Sequence, residues 1–155
     1  MDLVGAGTAV RIDVAAASLF GPENLPYGVF APERGPYRAG VRLGDSVIDL
    51  AVALDDPIFA EPSLNPFLAQ GPRRWREARE RIQQLAVGEI PDAAVHSLAE
   101  VTLKLPIEVA DYVDFYASLD HATNLGRLFR PDSEPLLPNW RHLPVGYHGR
   151  AGTVV

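Results

Sequence analysis

The side chains best suited to chemistry in this chain lie between Asp111 and Arg150, in DYVDFYASLDHATNLGRLFRPDSEPLLPNWRHLPVGYHGR. This stretch holds three of the four histidines of the chain. Asp114, Ser118 and His121 follow one another at i, i+4 and i+7, so a helix would present a carboxylate and an imidazole on one face, about 10 Å apart. At that separation the two groups cannot hydrogen-bond each other, but they can face opposite ends of one small ligand.

A helix is predicted from Asp114 to about Gly126, with a buried stripe made by Phe115, Leu119 and Ala122. Asp114 also stands where an N-cap belongs, and aspartate is a preferred cap, so capping explains this residue without any chemistry. A histidine on the polar face of a helix is likewise ordinary by itself. It is the polar and aromatic residues that follow which indicate a functional site in this stretch.

Those following residues are Arg130, then Asn139-Trp140, then Gly146-Tyr147-His148-Gly149-Arg150. The two glycines predict a tight turn that presents Tyr147 and His148 outward. A zinc site could be drawn from the three histidines of the stretch, which are His121, His142 and His148. Their spacings match no common zinc pattern, and a site led by aspartate suits a hard, oxygen-bound ion better.

Composition excludes several other classes of protein. Among 155 residues, 47% are hydrophobic and 22% are charged, which is ordinary for a globular chain. A net charge of -6 without a basic stripe argues against nucleic-acid binding. The absence of cysteine excludes disulfides and thiolate chemistry. No run approaches the ~20 apolar residues of a membrane span, and Asp2 stands where a signal peptide carries positive charge, so we expect a cytoplasmic protein.

The elements upstream begin with short strands. LPYGVF and YRAGVRLGDSVIDL have strand-type composition, and the turn at Gly44-Asp45 predicts a hairpin. Short strands joined by close turns favour a small barrel or sheet over a βαβ unit. Two helices should follow, the first started by Asn65-Pro66 and closed by Gly71, and the second opened by Pro72.

The second of these helices should run for about four turns. One face carries Trp75, Ala78, Ile82 and Leu85, and we expect it to pack on the strands with Trp75 as a core residue. The other face offers i,i+4 ion pairs, Arg76 with Glu80 and Glu77 with Arg81.

Residues 88–100 are interpreted as a connector that carries a surface His96. VTLKLP then alternates as a half-buried strand, with Val101, Leu103 and Leu105 pointing inward and Pro106 ending it. The sequence therefore divides into a loosely ordered lead-in (1–18), a first domain (19–106) and the start of a second (107–155). The fold class is mainly β with short helices (α+β).

DYVDFYASLDHATNLG and LPNWRHLPVGYHGR resemble the fumarylacetoacetase family, as do NLPYGVF, RLGDSVIDL and the helix that contains Trp75. The likeness runs from about Leu19 to the C-terminus. It implies a small SH3-like barrel followed by a larger mixed β-roll that carries most of the active site. It also implies a homodimer for the complete enzyme.

Position by position, the resemblance implies roles for five residues. Asp114 matches the first carboxylate ligand of a Ca²⁺ or Mg²⁺ ion, and His121 matches the general base that activates water. The residues matching those that hold the carboxylate and keto oxygens of the substrate are Tyr116, Arg130 and Tyr147. The family reaction is hydrolysis of a carbon–carbon bond in fumarylacetoacetate, giving fumarate and acetoacetate at the end of tyrosine and phenylalanine breakdown.

The residue types suit that reaction. A divalent ion can chelate diketone oxygens and stabilise an enolate, an imidazole can accept a proton from water, and a guanidinium offers a planar fork to a carboxylate. Such an ion needs about six oxygen ligands. The resemblance places the further ligands and basic residues beyond residue 155, so we expect this chain to be the N-terminal portion of the enzyme and inactive alone.

Two alternatives stay open. The chain could be a non-enzymatic barrel module for partner binding or assembly, with Asp114 as a cap and His121 as a bystander. It could also belong to a related diketone or acylpyruvate hydrolase. Residues 131–155 should be the least stable part of the chain, because they are rich in proline and their natural packing surface is absent.

Overall fold

The structure, a computed structural model, describes residues 8–143 and 145–149. The chain divides into two compact units, Met1–Glu108 and Val109–Val155, here called the first and second units. Strands and short helices alternate, which confirms the predicted mixed α+β class. Within the described residues, no helix is both long enough and apolar enough to cross a bilayer.

The first unit is built on a five-stranded antiparallel sheet. The strands of this unit are β1 Ala9–Val10, β2 Tyr27–Pro32, β3 Arg38–Leu43, β4 Ser46–Asp49, β5 Ile90–Pro91, β6 Val95–Ser97 and β7 Val101–Lys104. The sheet order is β6-β4-β3-β2-β7, and β1 pairs separately with β5. The predicted hairpin is β3 and β4, with Gly44 at φ 58° in its turn. SH3-like closure of this sheet stays a prediction.

The helices of the first unit each contribute buried side chains to the core. They are α1 Leu50–Ala53, α2 Asn65–Leu68 and α3 Gly71–Val87. The predicted stripe on α3 is confirmed at Ala78 and Ile82, which are fully buried. Trp75 was predicted wrongly as a core residue, because its side chain is 38% exposed and its Nε1 donates to the carbonyls of Phe67 and Leu68. Trp75 therefore ties α3 to α2 and does not pack into the sheet.

A buried carboxylate joins β4 to α1. Asp49 is fully buried, and its Oδ1 accepts hydrogen bonds from the backbone N–H groups of Ala51 and Val52, which makes it the N-cap of α1. Arg38 Nε lies 2.6 Å from Asp49 Oδ2, as an ion pair without hydrogen-bond alignment. The turn from sheet to helix is thus fixed by one aspartate.

Two expectations for the end of the first unit were wrong. The predicted connector contains β5 and β6, and its His96 is half-buried, with its ring 5.3 Å from that of Phe30 and its Nε2 4.0 Å from Asp49 Oδ2. Leu103 and Leu105, predicted to point inward, are 60% and 39% exposed. β7 lies at the edge of the sheet and none of its residues is buried, so the alternation there does not mark a face that packs on the core. The described part of the predicted lead-in contributes β1, and its Ile12 and Val14 pack against the core.

The second unit contains β8 Val113–Phe115, α4 Leu119–Phe129 and β9 Gly146–His148. β8 and β9 form an antiparallel pair with Asp114 opposite Tyr147. The predicted helix from Asp114 was therefore wrong in its first turn, since Asp114 lies in a strand and Ser118 is the N-cap of α4. The tight turn predicted at Tyr147-His148 was also wrong, because both residues belong to β9.

Candidate active site

Pairing of β8 with β9 places phenolic groups on the carboxylate of Asp114. Tyr147 Oη donates to Asp114 Oδ2 over 2.7 Å, and Tyr112 Oη donates to the same oxygen over 3.4 Å. The other oxygen, Oδ1, accepts the backbone N–H of Phe115 over 2.7 Å. Asp114 is thus oriented by donors from two strands and does not cap a helix.

These donors favour the ionised form of Asp114. The Tyr147 hydroxyl has the largest effect, followed by the Phe115 backbone N–H, and together they hold the pKa of Asp114 below its ordinary value. Partial desolvation raises this pKa, and the weaker bond from Tyr112 lowers it further. The site therefore keeps a fixed negative charge at neutral pH.

The start of α4 positions His121. Ser118 Oγ accepts the backbone N–H of His121 over 3.3 Å, which places the imidazole in the first turn of the helix. Tyr116 lies just before this turn, and its N–H donates to the carbonyl of Val145 over 2.7 Å. The rings of Tyr116 and His121 meet edge to face with centroids 5.1 Å apart. His121 is exposed, so its imidazole is accessible to water.

A cavity of about 260 Å³ in the second unit brings three predicted residues together. They are Tyr116, Arg130 and Tyr147, the residues for which the sequence resemblance implies substrate binding. The rest of the wall is mostly apolar and consists of Ala122, Leu136, Leu137, Trp140 and Val145. An apolar cavity with a few polar groups is the usual form of a small-molecule site. Tyr147 links the cavity to Asp114, since its side chain lines the cavity and its hydroxyl donates to the carboxylate of Asp114.

The segment after α4 forms part of this wall because it folds back on the helix. Arg130 Nη2 donates to the Pro135 carbonyl over 2.7 Å. Gly126 permits the close approach, since a Cβ at this position would collide with the Pro135 carbonyl oxygen. The guanidinium of Arg130 is exposed and retains further N–H donors for a ligand.

The described residues supply one oriented carboxylate and no complete metal site. No group of three His, Asp or Glu side chains that could hold an ion occurs within residues 8–143 and 145–149. A Mg²⁺ or Ca²⁺ ion takes about six or more oxygens. The ionised and oriented carboxylate of Asp114 suits such an ion chemically, but it does not complete a coordination shell. Arg150, at the end of the predicted stretch, lies outside the described residues.

Two residues of the site, Tyr112 and Trp140, were expected from the sequence only as aromatic residues that could line a polar pocket, with no specific role. Tyr112 precedes Asp114 by two positions, and in a strand this spacing puts both side chains on one face. The spacing of Tyr112 and Asp114 therefore predicts their contact only if β8 is recognised as a strand. Trp140 does line the cavity, as that expectation has it, but nothing local in the sequence shows that its side chain is buried there.

Comparison with known proteins gives a consistent result. A family described as "Fumarylacetoacetase N-terminal" matches residues 23–106. Over 93% of its length the chain is 43% identical to fumarylacetoacetase of Rattus norvegicus and 42% identical to that of Dictyostelium discoideum. Fumarylacetoacetase of Arabidopsis thaliana is 38% identical over the same share.

The chain spans less than half of these relatives. It covers 39% of the rat protein and 38% of the Dictyostelium protein. The family match at residues 23–106 lies within the first unit, whereas all five predicted site residues lie in the second. It is the longer alignments, over 93% of the chain, that extend the similarity to the second unit.

Proposed function

This chain belongs to the fumarylacetoacetase family, and we propose that it forms part of the active site of an enzyme that hydrolyses fumarylacetoacetate to fumarate and acetoacetate. One observation carries the proposal. Tyr116, Arg130 and Tyr147 line a single cavity of about 260 Å³. Their phenols and guanidinium are the donor types that bind carboxylate and keto oxygens.

Each predicted residue has a role that its surroundings support. His121 is the base that takes a proton from water, and its ring is oriented by the helix cap and by the edge of Tyr116. Arg130 binds a carboxylate of the substrate with the guanidinium N–H groups that Pro135 does not use. Tyr116 and Tyr147 donate to further substrate oxygens.

We propose Asp114 as one ligand of a Mg²⁺ or Ca²⁺ ion. The resemblance to the family implies that the other ligands lie beyond residue 155, and the described residues offer no cluster of three suitable side chains. A bound divalent ion supplies Lewis-acid stabilisation of an enolate. The contribution of this chain is a carboxylate that is ionised and held in one orientation by Tyr147 and Phe115.

The complete enzyme, in this proposal, is a cytoplasmic homodimer of tyrosine and phenylalanine breakdown. This follows the resemblance to the family. Because the chain spans 39% of the rat relative, we expect the 155 residues to be inactive by themselves.

The test is a chimera in which this chain replaces the matching segment of the rat enzyme. We expect the chimera to consume fumarylacetoacetate in the presence of Mg²⁺ or Ca²⁺, followed by loss of the ultraviolet band of the substrate. Removal of a general base typically costs 10²–10⁴-fold in rate, so His121→Ala should lower turnover by about that factor.

Controls separate misfolding from a wrong assignment. His96→Ala removes an imidazole of the first unit, outside the cavity, and should leave turnover nearly unchanged. Circular dichroism melts should show that both variants fold. A folded chimera that is inert, or one that is indifferent to His121→Ala, would contradict the proposal.

A non-enzymatic role in binding or assembly is the second candidate. It is favoured by the separation of the family match, which lies in the first unit, from all five candidate residues in the second. An inert but folded chimera would move this candidate ahead.

A further inference from the structure

The first unit holds a second cavity, of about 570 Å³, walled by α2, α3 and the start of β2. Its lining is apolar except for two guanidinium groups, which belong to Arg76 and Arg79. A volume in this range is typical of small-molecule sites. All the lining residues belong to the first unit, so this cavity is separate from the one that holds Tyr116, Arg130 and Tyr147.

Three aromatic side chains, those of Tyr27, Phe67 and Trp75, line this cavity. The rings of Tyr27 and Phe67 lie 5.7 Å apart, and Tyr27 contributes its ring alone because its hydroxyl oxygen is shut off from solvent. The Nε1 of Trp75 donates to the carbonyls of Phe67 and Leu68, which holds an indole that is 38% exposed in a fixed place. Three rings around an apolar hollow favour a flat aromatic ligand, which gains ring contacts in addition to apolar burial.

The two arginines of the cavity differ in what they bind. Arg79 is half-buried, and its guanidinium donates to the backbone carbonyls of Leu25 and Glu23. Arg76 is exposed and makes neither a hydrogen bond nor an ion pair within the described part of the chain, so the pair predicted with Glu80 does not form there. A guanidinium is permanently charged, and its planar fork matches a carboxylate. Arg76 therefore leaves a cation free beside the aromatic wall.

The helix that carries both arginines is basic in an acidic chain. α3 contains five arginines and two glutamates, a net charge of +3, whereas the whole chain has a net charge of -6. A local excess of positive charge attracts anions to this part of the surface. Charge thus favours an anionic ligand over a neutral one.

We propose that the cavity of the first unit binds an aromatic carboxylate, with its ring against Tyr27, Phe67 and Trp75 and its carboxylate on Arg76. This site goes beyond the proposed function, because none of its residues is among the five candidate residues of the second unit. The inference therefore stands or falls independently of the hydrolase activity.

The probe is 2-naphthoate, and the comparison compound is 2-naphthamide, which has the same fused rings without the charge. The chain has two tryptophans, so its ¹⁵N-labelled form gives two indole signals. Trp75 lines the cavity, and Trp140 in the second unit is the internal reference. We expect 2-naphthoate to move the Trp75 signal in a saturable way and to leave Trp140 still. The amide should bind about fivefold more weakly, the upper range for loss of an exposed ion pair.

Arg76→Gln removes the charge and keeps a side chain of similar length. We expect it to weaken binding of 2-naphthoate by about fivefold and to leave binding of the amide nearly unchanged. Arg73→Gln is the matched control, because it makes the same charge change on the same helix at an 88% exposed side chain that pairs with Glu77. Equal losses in the two variants would mean that only net charge matters, and would overturn the inference.

A third variant tests the location of the site. Leu68 lines the cavity and is 42% exposed, so Leu68→Trp should fill the space and abolish binding in a chain that circular dichroism shows to be folded. Undiminished binding by folded Leu68→Trp would contradict the inference, as would a Trp75 signal that 2-naphthoate does not move. Either result would leave the proposed function intact, because that function is tested by turnover of the chimera.

Discussion

Asp114 shows how a carboxylate can be held in place by one residue distant in sequence and two residues beside it. Its two oxygens accept hydrogen bonds from Tyr147, Tyr112 and the backbone of Phe115. All three donors interact best with a carboxylate that carries its full charge. A partly exposed aspartate is thereby kept ionised and in one orientation, as a ligand or an electrostatic group requires.

Replacing Tyr147 by phenylalanine should make Asp114 easier to protonate. The Tyr147 hydroxyl is the largest cause of the lowered pKa of Asp114, so Tyr147→Phe should raise that pKa toward its ordinary value. A lowered folded-state pKa adds stability that is present above the unfolded-state pKa and is lost as pH falls through the folded-state pKa. The stability advantage of the native chain over Tyr147→Phe should therefore be present at neutral pH and vanish in acid.

The measurement is the pH dependence of the ¹³C carboxyl shift of Asp114, with chemical denaturation at neutral and acidic pH. Tyr112→Phe is the matched control, because its hydroxyl is more distant at 3.4 Å and is the smallest of the causes. It should raise the pKa of Asp114 less than Tyr147→Phe does. Equal titration midpoints in the native chain and in Tyr147→Phe would show that this hydrogen bond is absent in solution.

At the scale of elements, pairs of strands that are close in sequence were easier to predict than pairs that are far apart. The β3–β4 hairpin joins residues close in sequence through Gly44-Asp45, so turn composition and alternation sufficed. β8 pairs with β9, some thirty residues further along, and no local pattern reports that partner. The spacing of Asp114, Ser118 and His121 fits a helix equally well, which is why Asp114 was misplaced.

The sequence names candidate residues, but it does not give their arrangement. Family motifs pointed to Tyr116, Arg130 and Tyr147, and these residues line one cavity. The contact between Tyr147 and Asp114 depends on strand register, and the burial of Trp140 depends on how residues 131–140 return to α4. Both are consequences of tertiary structure, which periodicity does not encode.

A substitution at Gly126 tests whether the segment after α4 packs against this helix. Glycine inside a helix is ordinarily less stable than alanine by about 1 kcal/mol, so Gly126→Ala would stabilise an isolated α4. Here the added Cβ would collide with the backbone carbonyl of Pro135. We expect Gly126→Ala to lower the unfolding free energy of the second unit by about 1–3 kcal/mol, the usual cost of overpacking, and to weaken fumarate binding.

Thermal unfolding and fumarate titration would check this, with Asn124→Ala as the control on an exposed position of the same helix. The control should be neutral or slightly stabilising, because alanine is the better helix former. If Gly126→Ala were stabilising too, the 131–140 segment would not pack on α4 in solution.

At the scale of the whole molecule, the two units differ in the core that each possesses. Every residue of the main core cluster lies between Leu25 and Ala94, in the first unit. In the described part of the second unit, the buried residues are Ala122, Gly126 and Trp140. Large apolar side chains there remain exposed, among them Leu128 at 71% and Phe129 at 74%. Apolar burial is the main stabilising term in folding, so the units should differ in stability.

Hydrogen exchange followed by mass spectrometry should reveal that difference. We expect the amides of β3 and β4 to exchange only through global unfolding of the first unit, because both strands are paired on each side. Amides of residues 131–143 should exchange orders of magnitude faster, since their few backbone hydrogen bonds join turn residues such as Trp140 and Leu143. In the chimera with the rat enzyme, the same amides should slow if the added chain covers the exposed apolar side chains. Strong protection of residues 131–143 in the 155-residue chain alone would contradict this prediction, because it would show that the second unit is stable by itself.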